Sequence, residues 1–369
     1  MNNETRKETQ VLPKDVRYVG ADDLTLPLFE NQYPVQPMGV SYNSYLILDE
    51  KIAVMDSVDA RAADEWLAKL AHELDGRSPD YLVISHMEPD HSGSILRLAE
   101  KYQEMKLVGN TKTFTMLRQF FGAKAPTDDR LLEVGEGETL PLGAHTLHFM
   151  LAPMVHWPEV MVAYEETEKL LFSADAFGRF GALSRTAAAP WAPQARRYYY
   201  NIVGKYGAQV QALLKKASAL EIKTVCPLHG PVLTGEALGE ALRLYDLWSR
   251  WQSESPDDIL LAHASIHGNT ARAAELFKQK LEAAGARVTL CDLTTTEVSY
   301  AVANAFYCGK LVLACSTYDG GLFPPMEEFL SHLQAKGFRD RSVGLMENGS
   351  WAPAAARLMR AKLEEMKDL

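Results

Sequence analysis

The sequence has 369 residues, of which 47% are hydrophobic and 23% charged, a composition typical of a globular protein with more than one domain. Its 48 acidic residues against 38 Lys and Arg give a formal net charge of -10, which argues against a nucleic-acid partner because phosphate backbones require a basic surface. No stretch approaches the roughly 18 consecutive apolar residues of a membrane span, and the polar N-terminus lacks the apolar core of a secretory signal. Four cysteines without a CxxC pair indicate reduced thiols. We therefore expect a cytoplasmic protein with no membrane association.

The first two thirds of the chain predict strands with inserted helices. In chain order these are strands at SYNSYLIL and KIAVMDSV, a helix over 61–74, a strand over 81–85, a helix over 95–102, strands at HTLHFMLA, EVMVAY and KLLFSAD, a helix over 196–219 and a strand at IKTVCP. A polar stretch containing proline, Ser253–Asp258, then interrupts the pattern. It predicts a first domain over residues 1–253 and a second over 254–369.

Strands and helices alternate regularly after this stretch. They are strand ILLAHAS, a helix over 270–284, strand ARVTLCDL, a short helix, strand KLVLACST, a helix over 325–336, strand SVGLME and a helix that ends near residue 366. This order predicts parallel strands joined by crossover helices, which is a doubly wound sheet.

Four potential metal ligands follow the strand over 81–85 within six residues, in the segment His86-Met87-Glu88-Pro89-Asp90-His91. In an extended segment, alternate residues project to one side, so His86, Glu88 and Asp90 are expected to converge while His91 faces away. A polar loop that caps the next helix is the alternative, although capping accounts for one polar residue and not for four.

Three more candidates lie just after predicted strands: His156, Asp175 and His229. Asp175 ends an apolar strand, where a carboxylate is costly unless it is paired or coordinated. Four imidazoles and three carboxylates suffice for two ions, and Asp175 is the natural bridge. No thiolate is near, which argues against structural zinc and iron–sulfur clusters. The ligand types leave iron, manganese and zinc open.

Three loops at the carboxyl ends of strands in the second domain suggest a flat, phosphate-bearing ligand. The first combines hydroxyls and a glycine at a helix N-terminus, as phosphate sites do; a helix cap is the alternative. The other two contain glycines and an aromatic residue, for which core packing is the alternative. The candidate residues are Ser265, Ile266, His267, Gly268, Asn269, Thr270, Ser316, Thr317, Tyr318, Asp319, Gly320, Gly321, Glu347, Asn348, Gly349, Ser350 and Trp351.

The metal motif resembles that of the metallo-β-lactamase fold, whose hydrolases have H-x-H-x-D-H here. Glu88 replaces the second His, and this change, together with GVSYNSYLIL, HWPEVM, LFSADAFG, RRYYYNIVGKYG and CPLHGP, resembles the flavodiiron proteins, or A-type flavoproteins. The resemblance implies a first iron held by His86, Glu88 and His156, a second held by Asp90 and His229, and Asp175 between them. His91 corresponds to a ligand in only some members, and it is also a possible proton donor.

The resemblance further implies an αββα sandwich followed by a flavodoxin-like sheet that binds FMN. The sequence given ends after the fourth helix of that sheet, so its last strand and helix are expected to be missing. The implied activity is reduction of O2 to water, of NO to N2O, or both. The implied partners are a rubredoxin or flavin-dependent reductase as electron donor and a second copy in a head-to-tail homodimer.

Two other functions remain open from the residues alone. One is a zinc hydrolase of the metallo-β-lactamase type with a fused flavodoxin-like module, against which Glu88 argues. The other is an electron-transfer protein whose first domain is only a scaffold, against which the seven candidate ligands argue.

Overall fold

The structure is a computed structural model that describes residues 12–186 and 188–369. Its residues form two compact units, and each is described by itself. The first comprises residues up to Ala195 together with Gln209–Arg243, and the second comprises Arg196–Ala208 together with Leu244–Leu369.

Short strands make up the sheets of the first unit. In chain order they are β1 (Val16–Tyr18), β2 (Ala21–Asp23), β3 (Leu28–Phe29), β4 (Tyr33–Pro34), β5 (Val40–Tyr42), β6 (Tyr45–Ile47), β7 (Ala53–Met55), β8 (Tyr81–Val83), β9 (Lys106–Gly109), β10 (Leu131–Glu133), β11 (Thr139–Pro141), β12 (Thr146–Leu151), β13 (Met161–Glu165), β14 (Leu170–Phe172), β15 (Thr224–Cys226) and β16 (Leu233–Thr234). One six-stranded sheet has the order β1-β6-β7-β8-β9-β10, and the other has the order β11-β12-β13-β14-β15-β16.

The helices of this part of the chain are α1 (Ala63–Leu74), α2 (Pro89–Ser92), α3 (Ile95–Lys101), α4 (Thr111–Phe121), α5 (Leu183–Thr186), α6 (Trp191–Tyr198), α7 (Gly207–Ala217) and α8 (Gly235–Ser249). The three boundaries between the two units fall within α6, α7 and α8.

One apolar core joins the two sheets. Alternate residues such as Tyr45 and Ile47 of β6 meet Leu147 and Phe149 of β12 in the same buried cluster, as expected when side chains of a strand point alternately to either face. The predicted sandwich is therefore confirmed. His86, Asp175 and His229 each lie three residues beyond the end of a strand, namely β8, β14 and β15.

A mostly parallel sheet forms the second unit. Its strands are β17 (Ser255–Ala264), β18 (Val288–Asp292), β19 (Cys308–Tyr318), β20 (Gly321–Leu322) and β21 (Ser342–Asn348), and its helices are α9 (Asn269–Ala283), α10 (Val298–Tyr307), α11 (Pro324–Ala335) and α12 (Ala355–Glu364). β17, β18, β19 and β21 pair in parallel in the order β18-β17-β19-β21. β20 forms a short antiparallel hairpin with the end of β19. This arrangement confirms the flavodoxin-like sheet.

The polar stretch Ser253–Asp258 is not a free linker, because β17 already begins at Ser255. Ser255 pairs with Cys308, and the register shifts before pairing resumes at Ile259. Pro256 lies in this irregular part, where a residue without an N–H is tolerated.

The predicted helix over 196–219 is interrupted. A π-helical turn over Tyr199–Val203 and a 3-10 turn over Gly204–Tyr206 separate α6 from α7, and the two glycines at 204 and 207 weaken helical continuity. Residues 196–208 belong to the second unit, although the predicted division placed them in the first. The guanidinium of Arg196 explains this, because it donates to both carboxylate oxygens of Glu254.

Among residues 12–186 and 188–369, none of the helices combines the length and the apolar character that crossing a bilayer requires.

Candidate metal centre and flavin site

His86 and Glu88 lie on the loop that follows β8. Asp56, a buried residue with a positive φ of 56°, accepts the backbone N–H of Ser85 at 2.7 Å and that of His86 at 3.4 Å. The loop is therefore held at its start by a carboxylate. The imidazole Nε2 of His86 lies 3.3 Å from Glu88 Oε2, so these two side chains converge as predicted.

Asp90 and His91 lie in the short helix α2, which begins at Pro89. Helical geometry interrupts the extended row, so the expectation that Asp90 points with His86 and Glu88 while His91 faces away is wrong. Asp90 and His91 instead point together, and His91 Nε2 lies 3.4 Å from Asp90 Oδ2.

Asp175 lies at a sharp turn after β14. Ala174 has a φ of 51°, a left-handed conformation that non-glycine residues seldom adopt. The carbonyl of Ala174 accepts the N–H of Leu228 at 2.9 Å. The turn that carries Asp175 is therefore tied to the loop that carries His229.

Ser41, in β5, holds His229 in one orientation. Nδ1 of His229 lies 2.7 Å from the carbonyl of Ser41, and the next residue, Gly230, donates its N–H to Ser41 Oγ at 2.8 Å. Gly230 has a φ of 80°, and an added Cβ would lie 2.6 Å from Cγ of Arg179, so only glycine suits this position.

The seven candidate ligands form two groups around the carboxylate of Asp175. His86, Glu88, His156 and Asp175 form one group, and Asp90, His91 and His229 form the other. Asp175 Oδ2 lies 3.3 Å from His86 Nε2 and 3.1 Å from His156 Nε2. Its other oxygen, Oδ1, lies 3.2 Å from His91 Nε2 and 3.6 Å from His229 Nε2. One oxygen therefore faces each group.

The donor atoms of this cluster suit metal ions. Both oxygens of Asp175 and of Asp90 are buried without a hydrogen-bond partner among the described residues, which is costly for carboxylates unless a cation compensates them. Two groups of imidazole and carboxylate donors suit two borderline or hard cations such as iron. His86, His91, Asp175 and His229 are at most 1% exposed, whereas Asp90 and His156 are each 8% exposed. The side chain of Glu88 is the most exposed of the seven, at 13%.

Protonation in the metal-free chain follows from the packing of opposite charges. Burial of His156 opposes its protonation, but the nearby carboxylates of Asp175 and Glu88 outweigh burial and raise its pKa to about 9. Burial of Asp175 acts against ionisation, yet the charges of His91 and His86 hold its pKa well below its ordinary value. Metal ions must therefore displace protons from the imidazoles when they bind.

Two residues that support the candidate ligands, Glu159 and Ser41, were not among the predicted site residues. Glu159 is 1% exposed and lies 2.7 Å from Nδ1 of His86, and Ser41 orients His229. Glu159 could have been predicted from its position three residues after His156 in HWPE. Ser41 could not, because it contacts His229 through its backbone carbonyl, which any residue type provides.

The surroundings of the cluster add a further carboxyl group and aromatic walls. Glu30 lies at the turn between β3 and β4, where loss of hydration and the charge of Glu88 raise its pKa to about 8. The ring of Phe29 packs edge-on against His229 at 5.3 Å, and Trp157 packs edge-on against His86 at 5.2 Å. No motif in the sequence pointed to Glu30.

The structure brings the three predicted flavin loops to one edge of the second unit. The loop over 265–268 joins β17 to α9, residues 316–321 form the hairpin of β19 and β20, and residues 347–351 comprise the end of β21 and the residues that follow it. Thr270 Oγ1 lies 2.7 Å from Ser316 Oγ and accepts the amide N–H of Asn348 at 3.3 Å. The three loops therefore touch one another through hydroxyl and amide groups.

This edge suits a phosphate-bearing ring ligand. The hydroxyl of Ser265 is buried without a hydrogen-bond partner among the described residues, and it lies just before the N-terminus of α9, where backbone N–H groups favour anions. Tyr318 is 44% and Trp351 69% exposed, so core packing does not account for these rings.

Comparisons with known proteins agree with both sites. Residues 40–230 match the family model described as ODP family beta lactamase. The rubredoxin-oxygen oxidoreductase of Megalodesulfovibrio gigas is 27% identical over 94% of this chain and 87% of its own length. The nitric oxide reductase of Moorella thermoacetica is 27% identical over 95% of this chain and 88% of its own length. Among solved structures, the flavodiiron protein from Giardia intestinalis matches with a TM-score of 0.90 at 26% identity, over 97% of this chain and 88% of that chain.

A β-lactamase family model over residues 40–230, together with relatives and a solved structure that align along nearly the whole chain, shows that this protein belongs to the flavodiiron proteins, a family of oxidoreductases.

Proposed function

We propose that this chain passes electrons from a bound flavin to a two-iron centre that reduces O2 to water, NO to N2O, or both. The observation that carries the proposal is the buried Asp175 carboxylate, which has one oxygen facing each of two groups of metal-binding side chains. The names of the relatives from Megalodesulfovibrio gigas and Moorella thermoacetica support O2 and NO as the substrates.

The side chains divide the proposed metals between two positions. We assign the first position to His86, Glu88 and His156, the second to Asp90, His91 and His229, and Asp175 to both. The structure supports His91 as a ligand of the second position, because its Nε2 lies 3.1 Å from Nε2 of His229 and both point at Asp175. Glu88 argues against the zinc hydrolase, since its carboxylate lies where those hydrolases have an imidazole.

When bound, FMN and two irons store four electrons between them, the number needed for full reduction of O2 to two waters, whereas coupling of two NO to N2O needs two. The protein side chains hold the metals, shape the approach and exclude bulk water. Phe29 and Trp157 pack apolar rings against His229 and His86, while Glu88, Asp90 and His156 are the candidate ligands that keep some exposure to solvent. The carboxyl group of Glu30, whose pKa is raised by loss of hydration and by the charge of Glu88, is a candidate proton source besides water and His91.

The flavin proposed here is FMN, held by the loops at 265–270, 316–321 and 347–351. The phosphate would bind the hydroxyls and backbone N–H groups at the start of α9, and the ring would lie against Tyr318 and Trp351. The described residues contain one phosphate cradle of this kind next to these rings, which suits a mononucleotide better than FAD or NAD.

The partners and the compartment are also proposals. The relative from Megalodesulfovibrio gigas is named for rubredoxin, which supports a rubredoxin as electron donor, with a flavin-dependent reductase as the other donor class. We also propose a head-to-tail homodimer, in which the flavin of one subunit serves the metals of the other. The four cysteines are all buried free thiols, which supports the reducing environment of the cytoplasm.

Removal of Asp175 should cost both metals. We expect Asp175→Ala to reduce bound iron from two per chain to less than one, because the side chain contacts both groups, while His229→Ala should retain about one. Elemental analysis of anaerobically purified protein, with circular dichroism to verify folding, measures this. Retention of two irons by folded Asp175→Ala would show that Asp175 is not shared.

The flavin released by heat should be FMN. Thr270→Leu removes the hydroxyl at the centre of the three loops, and loss of a hydrogen bond to a charged group should weaken FMN binding about tenfold to a hundredfold. Thr289→Leu, on an exposed position of β18 in the same unit, is the control and should bind FMN normally. Chromatography of the released flavin and fluorescence titration make the two measurements. Release of FAD, or equal FMN affinity in both variants, would refute this assignment.

The reaction itself is tested with the reduced holoenzyme. We expect protein that has been reduced anaerobically to consume O2 with little release of peroxide, to convert NO to N2O, or to do both. His86→Ala with FMN retained should oxidise slowly and release peroxide, because free flavin oxidation yields peroxide stoichiometrically. Peroxide as the main product of the two-iron protein, with NO left untouched, would end the reductase proposal. Zinc in place of iron, with ester or lactam hydrolysis, would favour the hydrolase instead.

A further inference from the structure

Glu159 lies behind His86, on the side of the ring opposite to the candidate metal position. Its side chain is fully buried, and Oε1 accepts a hydrogen bond from Nδ1 of His86 at 2.7 Å and from the backbone N–H of Met87 at 2.9 Å. Its own backbone carbonyl accepts the side-chain amide of Asn110 at 2.6 Å. One carboxylate oxygen, Oε1, therefore joins the loop of His156 to the loop of His86, while Oε2 is buried without a hydrogen-bond partner among the described residues.

This contact determines which nitrogen of His86 can bind a metal. When Nδ1 carries the proton and donates a hydrogen bond to the carboxylate, the neutral imidazole presents an unprotonated Nε2 towards Glu88 and Asp175. An anionic acceptor also increases the electron density that the imidazole donates to a metal, and such supporting carboxylates typically change metal affinity by 10-fold to 100-fold.

The second group has a different support. His229 donates from Nδ1 to the neutral carbonyl of Ser41, and Nδ1 of His91 is buried without a hydrogen-bond partner in the part of the chain that the structure describes. A carboxylate thus accepts the Nδ1 hydrogen bond of an imidazole in the first group. In the second group, Nδ1 of His229 donates to a neutral carbonyl, and Nδ1 of His91 has no hydrogen-bond acceptor among the described residues.

We propose that Glu159 is a positioning residue that strengthens metal binding at the first position and lowers the reduction potential of iron there, acting through the imidazole of His86. The inference rests on the proposed two-metal centre and assigns to it an asymmetry between its two halves. The first position should fill first and hold its metal more tightly.

A titration with Co²⁺ tests the affinity without turnover. His229→Ala isolates the first position, and Glu159→Gln is introduced into this variant because glutamine keeps the size of the side chain but removes its charge. We expect Co²⁺ to bind about 10-fold to 100-fold more weakly after this change, as read from visible absorption in competition with a chelator. Glu159→Asp, which keeps the charge, should restore part of the loss.

A matched control is available in the same unit. Glu165 is a buried carboxylate whose Oε1 lies 3.0 Å from Nδ1 of His145, and it also accepts the backbone N–H of Thr167. Neither residue belongs to the two metal-binding groups. Glu165→Gln therefore removes a similar buried His–Glu pair, and it should lower thermal stability without changing Co²⁺ affinity.

A second readout separates electronic support from packing. In iron-loaded protein, a potentiometric titration followed by electron paramagnetic resonance should show a higher potential for the first iron in Glu159→Gln than in Glu165→Gln. If Glu159→Gln does not fold, Glu159→Asp is measured in its place, and it should shift affinity and potential in the same direction by a smaller amount.

The outcomes distinguish the inference from the proposed function. Failure of the unmodified chain to bind two Co²⁺ would overturn the two-metal centre itself. Two bound ions with equal affinity and potential in the Glu159 and Glu165 variants would overturn only the role of Glu159.

Discussion

The carboxylate of Asp175 is the constraint on which the candidate centre depends. It is completely buried, and its oxygens have no hydrogen-bond partner among the described residues. Four imidazole nitrogens lie within 3.1–3.6 Å of it. A buried charge with this environment is stable only when cations, either protons on the imidazoles or metal ions, compensate it. The loops of the first unit that carry the candidate ligands are therefore arranged around a charged group whose burial requires compensating cations.

The backbone of the sandwich explains how residues far apart in sequence meet there. The ends of β8, β14 and β15 each lead within three residues to a candidate ligand, and hydrogen bonds such as that between Leu228 and Ala174 tie the loops together. Loops held by a rigid scaffold commonly carry chemistry in this way. The imidazoles also differ in their buried hydrogen-bond acceptors, which are a carboxylate for His86 and a backbone carbonyl for His229.

Much of this arrangement could be predicted because strand ends and ligand residue types leave local signals. The apolar strand before Asp175 and the HMEPDH segment indicated a metal site from residue chemistry, and the resemblance divided the candidate ligands into the two groups in which their side chains lie. The extended row through Asp90 was wrong because Pro89 begins a helical turn, in which consecutive side chains turn by about 100° and not by 180°. Glu30 and the carbonyl of Ser41 could not be predicted, since they reach the site only through tertiary packing. The helix break after Tyr198 and the start of β17 at Ser255 were missed because tertiary contacts, such as those of Arg196 with Glu254, override local propensity.

The central claim is that two irons share Asp175, and anomalous X-ray diffraction at the iron absorption edge tests it most directly. Crystals of the anaerobically purified protein should show two anomalous peaks per chain, one beside His86 and His156 and the other beside His91 and His229, on opposite sides of the Asp175 carboxylate. A single iron peak, or peaks that appear only at the zinc edge, would contradict the account.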